Sequence, residues 1–325
     1  VLVFRPVPGN GRFLVNGAGR SGSGLSLGGL KPFDFRQTLG YERRNFNKET
    51  ADTMSNNDLM ANIQTSRVGL NSKFKFKCHK DLKCFTKCCR GINIVLTPYD
   101  IIRLKNRLAL TSEEFLAIYT TPQLFEKTDL PVVTLKMGED DEKSCPFVRE
   151  DGCILYEDRP TTCRYYPLGV AALSHKEGAD DQDFFFFVNE PHCLGFEEDK
   201  EWTVREWRED QGVDIQDEIN ADWTDLVVRK RSFPANVKLT DQSKQMFFMV
   251  SYNIDKFKDF VFESSFLDRY DVDDETLEKI KADEVELLKF GLKWLKGILF
   301  QVEDSEKLPQ KEGAEKMRKT TEKDS

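Results

Sequence analysis

Histidine is scarce in this chain of 325 residues: only His79, His175 and His192 are present. Ser–His–Asp chemistry and the H-E-x-x-H zinc motif therefore have no support. Positive charge is also short, 48 Lys+Arg against 56 Asp+Glu for a net charge of −8. That balance excludes a protein held to nucleic acid by bulk charge, and no nucleic-acid partner is expected. No run of about 18 apolar residues exists, so no membrane span is expected. The longest dense apolar run, FFFFV at 184–188, is the size of a strand. The N-terminus lacks a charged region followed by an apolar stretch and a small-residue cleavage site, so nothing marks the chain for secretion. A cytoplasmic location is expected.

Against these shortages stand eight cysteines: Cys78, Cys84, Cys88, Cys89, Cys145, Cys153, Cys163 and Cys193. None lies in the first 77 residues or the last 132. Cysteines used singly as small core residues would scatter, so their confinement argues for one shared purpose. A disulfide framework and metal binding compete for it. The missing secretory signature and a length sufficient for an unstapled core favour metal.

The first four cysteines sit in CHKDLKCFTKCC, spaced C-x5-C-x3-C-C. Structural zinc sites usually use C-x2–4-C hooks, and the bacterial ferredoxin run is C-x2-C-x2-C-x3-C-P; neither applies directly. The adjacent pair Cys88–Cys89 is more informative. Neighbouring side chains point to opposite faces of a strand and diverge by about 100° on a helix, so both are awkward ligands for one ion. They suit two separate sites, or a polynuclear centre that spans them. A vicinal disulfide is the competing arrangement. Eight thiols divide naturally into two four-ligand sites, whether zinc, iron–sulfur or one of each, with iron slightly favoured.

The second group is Cys145, Cys153 and Cys163 in CPFVREDGCILYEDRPTTCRYYPLG, followed by Cys193 in PHC. Arg159 and Arg164 lie close in sequence to these thiols, where guanidinium groups can offset thiolate charge. His79 and His192 each adjoin a cysteine, which makes ligation by both neighbours geometrically hard.

Along the chain, residues 1–69 read as a flexible leader, rich in glycine up to residue 30. Met54 is the first methionine and the expected natural start, which makes 1–53 either an extension outside the native protein or a disordered leader. Gly17, Gly19 and Gly22 fit G-x-G-x-x-G, but the following SGSGLSLGGLKP cannot open the helix that a dinucleotide site requires. Residues 70–197 form a mixed cysteine-rich region. INIVL (92–96), PVVTLK (131–136), CILY (153–156), YYPLGVAAL (165–173) and DFFFFV (183–188) read as strands or extended segments. Thr97-Pro98-Tyr99-Asp100 opens a helix to about Leu110, and Thr111-Ser112-Glu113-Glu114 opens another through about Tyr119. Residues 198–301 read as helical, with an apolar stripe along 274–300. The charged tail 302–325 is expected to be disordered. The fold class is α+β: a small metal-bound cysteine-rich domain, then a helical region.

FKCHKDLKCFTKCC, then CPF…GCILYEDRPTTCRYYPLG, then a last cysteine, together resemble the YkgJ-like CxxCxxCC cysteine-cluster family over roughly residues 74–197. That family is described as a zinc- or iron-chelating domain of bacterial and archaeal proteins. The resemblance implies that the eight cysteines are metal ligands. The first two spacings depart from the family's, being x5 and x3 in place of x2 and x2. Flagellin lysine-N-methylases carry a similar module, which implies an alternative: protein lysine methylation with S-adenosylmethionine. The chain offers no glycine-rich seat for that cofactor, and Cys84-x3-Cys88-Cys89 misses the radical-SAM spacing. A third reading is an adaptor that binds a protein partner through its C-terminal helices.

Overall fold

The computed structural model describes residues 63–125, 128–171, 184–234, 236–300 and 307–311. The glycine triplet, Met54 and His175 lie outside these residues. In chain order the strands are β1 (Ile63–Val68), β2 (Lys73–Lys75), β3 (Val95–Leu96), β4 (Thr120–Phe125), β5 (Leu130–Leu135), β6 (Val148–Arg149), β7 (Gly152–Cys153), β8 (Leu168–Ala171), β9 (Phe184–Val188) and β10 (Glu201–Thr203). The helices are α1 (Pro98–Arg107), α2 (Ser112–Tyr119), α3 (Thr161–Tyr165), α4 (Val204–Gln211), α5 (Val213–Arg231), α6 (Asp241–Tyr252), α7 (Ile254–Glu263), α8 (Phe266–Arg269), α9 (Asp274–Ala282) and α10 (Glu284–Leu299). The architecture is α+β. Among the described residues the strands form four small antiparallel sheets, in the orders β1-β9-β8, β10-β2, β3-β5-β4 and β6-β7.

Helix starts follow the sequence closely. Thr97 and Asp100 form a capping box at α1, and Thr111 and Glu114 form one at α2; each satisfies backbone N–H groups that a helix start leaves unpaired. Thr203 and Glu206 repeat it at α4. Gly212, at φ 61°, turns the chain between α4 and α5 in a left-handed conformation that a side chain would strain.

Four expectations change. CILY is not a strand: only Gly152–Cys153 pairs, and Tyr156–Asp158 turns into a 3-10 helix. Tyr165 ends α3, so the extended stretch starts at Leu168. The stripe over 274–300 is two helices, because Asp283 turns its carboxylate onto the N–H groups of Val285 (2.7 Å) and Glu286 (3.2 Å) and caps α10. β1 lies inside the segment read as leader; its order comes from pairing with β9, a long-range partner that local composition does not reveal. In the tail, Asp271 donates to the Pro309 carbonyl and Lys311 to that of Arg269, both at 2.9 Å.

Two apolar clusters hold these elements. The larger joins Leu96, Ile101, Val133 and Leu155 to Trp223, Phe247, Phe257 and Leu292. Packing thus runs without a break from the cysteine-rich segment into the C-terminal helices. The smaller is aromatic, built from Phe74, Phe76, Tyr165, Phe185 and Trp207, with Phe187 and Phe196 against it.

Candidate metal centre

Between the two clusters lies a cavity of about 550 Å3, walled by Phe76, Leu168 and Trp207 on one side and by Ile94, Leu135, Phe147 and Leu155 on the other. All eight cysteines line it. They arrive from separate segments spread over residues 78–193, and all are free thiols. No disulfide, vicinal or otherwise, joins them in this arrangement.

Each segment is fixed by backbone geometry. Cys78 follows β2, where Phe76 donates to the Lys200 carbonyl (2.9 Å) and Lys77 to that of Gly195 (3.0 Å). Cys84 to Cys89 form consecutive tight turns, with Lys87 donating to the Cys84 carbonyl (2.9 Å) and Cys89 to that of Thr86 (3.0 Å). Thr86 takes φ 66°, costly for a β-branched residue, and opens the 3-10 turn Lys87–Cys89. Cys145 donates its N–H to the Cys89 carbonyl at 2.8 Å. Cys153 ends the β6–β7 hairpin, and Cys163 lies on α3.

Backbone N–H groups point at several sulfurs. Leu194 donates to Cys84 Sγ at 3.3 Å. The backbone N–H groups of Phe147 and Val148 beside Cys145, of Leu155 beside Cys153 and of Gly195 beside Cys193 act on those thiols in the same sense, and Val148 N–H also donates to the Cys145 carbonyl at 3.1 Å. Such bonds favour the thiolate, the form that binds metals. Desolvation opposes them: it pushes Cys78 up to about 11 and raises Cys145, Cys153, Cys163 and Cys193, with neighbouring thiols adding to the rise at Cys78 and Cys163. Cys89 donates to Cys88, which lowers Cys88 and raises Cys89. A cationic centre would reverse this balance by drawing off the protons.

The two arginines divide their work. Arg159 is buried on the cavity wall, donating to the Tyr156 carbonyl (2.6 Å) and to Gln211 Oε1 (2.5 Å), with its guanidinium 3.9 Å from the centre of the Tyr156 ring. Among the described residues no carboxylate pairs with it, so thiolate charge in the cavity would be its counterpart. Arg164 does not face the thiols; it ties together the carbonyls of Glu157, Arg159 and Gln211. Tyr166 presents a buried hydroxyl, without an oxygen or nitrogen partner, to the Cys193 sulfur.

His79 lines the cavity with its ring nitrogens near Asp81 (3.5 Å) and Glu198 (3.4 Å), and exposed His192 also lines it. One residue that spacing reveals only as a helix cap has a second role. Buried Asp100 accepts from Thr97 N (2.9 Å), Thr161 N (2.8 Å) and Thr161 Oγ1 (2.7 Å), so it ties the start of α1 to the start of the Cys163 helix.

The donor set suits a thiolate-bound metal: eight sulfurs, converging N–H groups and a buried cation face one space. Among the described residues no three Cys, His, Asp or Glu side chains close tightly on one point. The sulfurs ring a volume instead. Residues 77–194 match the model of the CxxCxxCC family, described as a putative zinc- or iron-chelating domain. The match indicates a chelating function and leaves the C-terminal helices outside its span. No curated protein and no solved structure gives a match to the chain. No helix among the described residues is long and apolar enough to cross a membrane.

Proposed function

We propose that this protein holds iron–sulfur chemistry in its thiol cavity and serves electron transfer. The observation that carries this reading is the convergence of all eight cysteines on one cavity of about 550 Å3, with the sulfurs ringing a volume rather than closing on a point. A single zinc ion needs four donors at about 2.0–2.3 Å, whereas a polynuclear centre accepts thiolates spread more widely. Bound there, a cluster supplies one-electron transfer.

The chain's own residues hold and tune such a centre. The N–H groups of Phe147, Val148, Leu155, Leu194 and Gly195 would stabilise thiolate charge, and Arg159 would offset part of what remains. The apolar walls lower the local dielectric. Eight free thiols in one cavity suit a reducing compartment, which supports a cytoplasmic location. A redox partner would dock near Cys78, the one exposed cysteine on the cavity wall.

Anaerobic purification followed by elemental analysis, acid-labile sulfide assay and absorbance near 400 nm tests the reading. Brown protein with iron and sulfide in proportion is expected. Colourless protein carrying zinc would replace electron transfer with a structural role, and tight binding of S-adenosylmethionine by calorimetry would favour methyl transfer.

A further inference from the structure

We propose that the cavity holds two adjacent centres: Cys78, Cys84, Cys88 and Cys193 on one, and Cys89, Cys145, Cys153 and Cys163 on the other. Cys88 and Cys89 stand side by side where the two centres meet. This division rests on the metal–thiolate reading above, and it cuts across sequence order by exchanging Cys89 and Cys193 between the two motifs.

The 3-10 turn Lys87–Cys89 provides the first argument. Successive side chains on a 3-10 helix point about 120° apart, so Cys88 and Cys89, with Cα atoms only about 3.8 Å apart, open toward different neighbours while their thiols remain within reach of each other. The backbone then sorts the other six. Pairing of β2 with β10 and the bond from Lys77 N to Gly195 O (3.0 Å) bring the Cys78 and Cys193 segments together. Leu194 N on Cys84 Sγ (3.3 Å) adds Cys84 to them. On the other side, Cys145 N on Cys89 O (2.8 Å) joins those two residues. The pairing of Val148 with Cys153 brings the hairpin end beside them, and Asp100 anchors the α3 start that carries Cys163.

The packing of the thiols sorts the same way: Cys145, Cys153 and Cys163 lie against the larger apolar cluster, and Cys193 lies against the smaller one. Two four-thiolate sites would carry more negative charge than one, which gives Arg159 and the converging N–H groups a larger load to offset.

The test uses the full chain, purified anaerobically as wild type, Cys193→Ala, Cys145→Ala and the double variant. Metal per chain is measured together with the pattern of iodoacetamide alkylation, mapped by peptide mass spectrometry. Each single variant should retain about half of the wild-type metal, as two independent four-ligand sites require. Cys193→Ala should expose Cys78, Cys84 and Cys88 to alkylation and leave Cys89, Cys145, Cys153 and Cys163 protected. Cys145→Ala should do the reverse, and the double variant should hold no metal. If Cys193→Ala fails to fold, Cys84→Ala reads the same centre. Exposure of Cys145, Cys153 or Cys163 in Cys193→Ala would overturn the division. So would complete metal loss from each single variant with its helical circular dichroism intact. Wild type that carries no metal would overturn the chelating reading itself, and the division with it.

Discussion

Asp100 shows how much a single buried group can organise. Its carboxylate closes a capping box and also anchors the start of the Cys163 helix, and burial raises its pKa above the ordinary carboxylate value. A folded-state pKa above the unfolded one means that its stabilisation is fully present below about pH 3.9 and is lost as pH rises through the folded value. Asp100→Asn should cost about 1–3 kcal/mol in acid, with the gap to wild type narrowing toward neutrality. Denaturant melts across pH check this, and a gap that widens with pH would contradict it. Arg159→Met should keep the fold but weaken metal retention about 10–100-fold, measured by competition with a chelator, because the buried positive charge on the cavity wall is removed. Retention equal to wild type would assign Arg159 to holding Tyr156 and Gln211 alone. Both residues were partly legible in the sequence. Thr97-x-x-Asp100 announced a cap because capping is local, whereas the reach to Thr161 depends on tertiary packing. Proximity to Cys163 likewise suggested two charge-balancing arginines, yet only Arg159 lines the cavity; Arg164 is absorbed by carbonyls.

At the scale of elements, periodicity and caps located the helices well, and pairing partners were the hidden part. The break at Asp283 was written in a residue type that favours N-caps, but a continuous apolar stripe masked it. β1, β2 and β10 draw order from strands distant in sequence, so no local pattern marked them. The grouping of cysteines has the same origin: Cys193 reaches Cys84 through Leu194 and the β2–β10 edge, a connection invisible in spacing. Helix α10 offers a sharp test of packing. A Cβ at Gly291 would come within 2.5 Å of Phe257 Cε1 and 2.7 Å of Val250 Cγ1, on α7 and α6. Gly291→Ala should therefore destabilise the protein by about 1–3 kcal/mol despite its better helix propensity. An unchanged or raised midpoint in urea would show that the neighbouring rings yield freely.

For the whole molecule, the shift in composition near residue 197 marks a change of secondary structure and not a change of core. Leu96, Ile101 and Leu155 pack in the same cluster as Trp223, Phe257 and Leu292. Heating should therefore melt the C-terminal helices and release bound metal in one coincident transition, followed by circular dichroism and a metal-sensitive dye. Helical signal that survives metal release as a separate step would contradict that coupling. The aromatic wall of the cavity has a further consequence. Trp207 lines the space, its ring centre 5.4 Å from those of Phe76 and Trp202, and its indole is held by a hydrogen bond to the Tyr165 carbonyl at 3.2 Å. Iron–sulfur centres absorb across the range in which tryptophan emits, whereas a d10 zinc ion does not. Loading with iron should dim the emission of this indole and loading with zinc should leave it bright, so the protein carries its own optical gauge of which metal it holds.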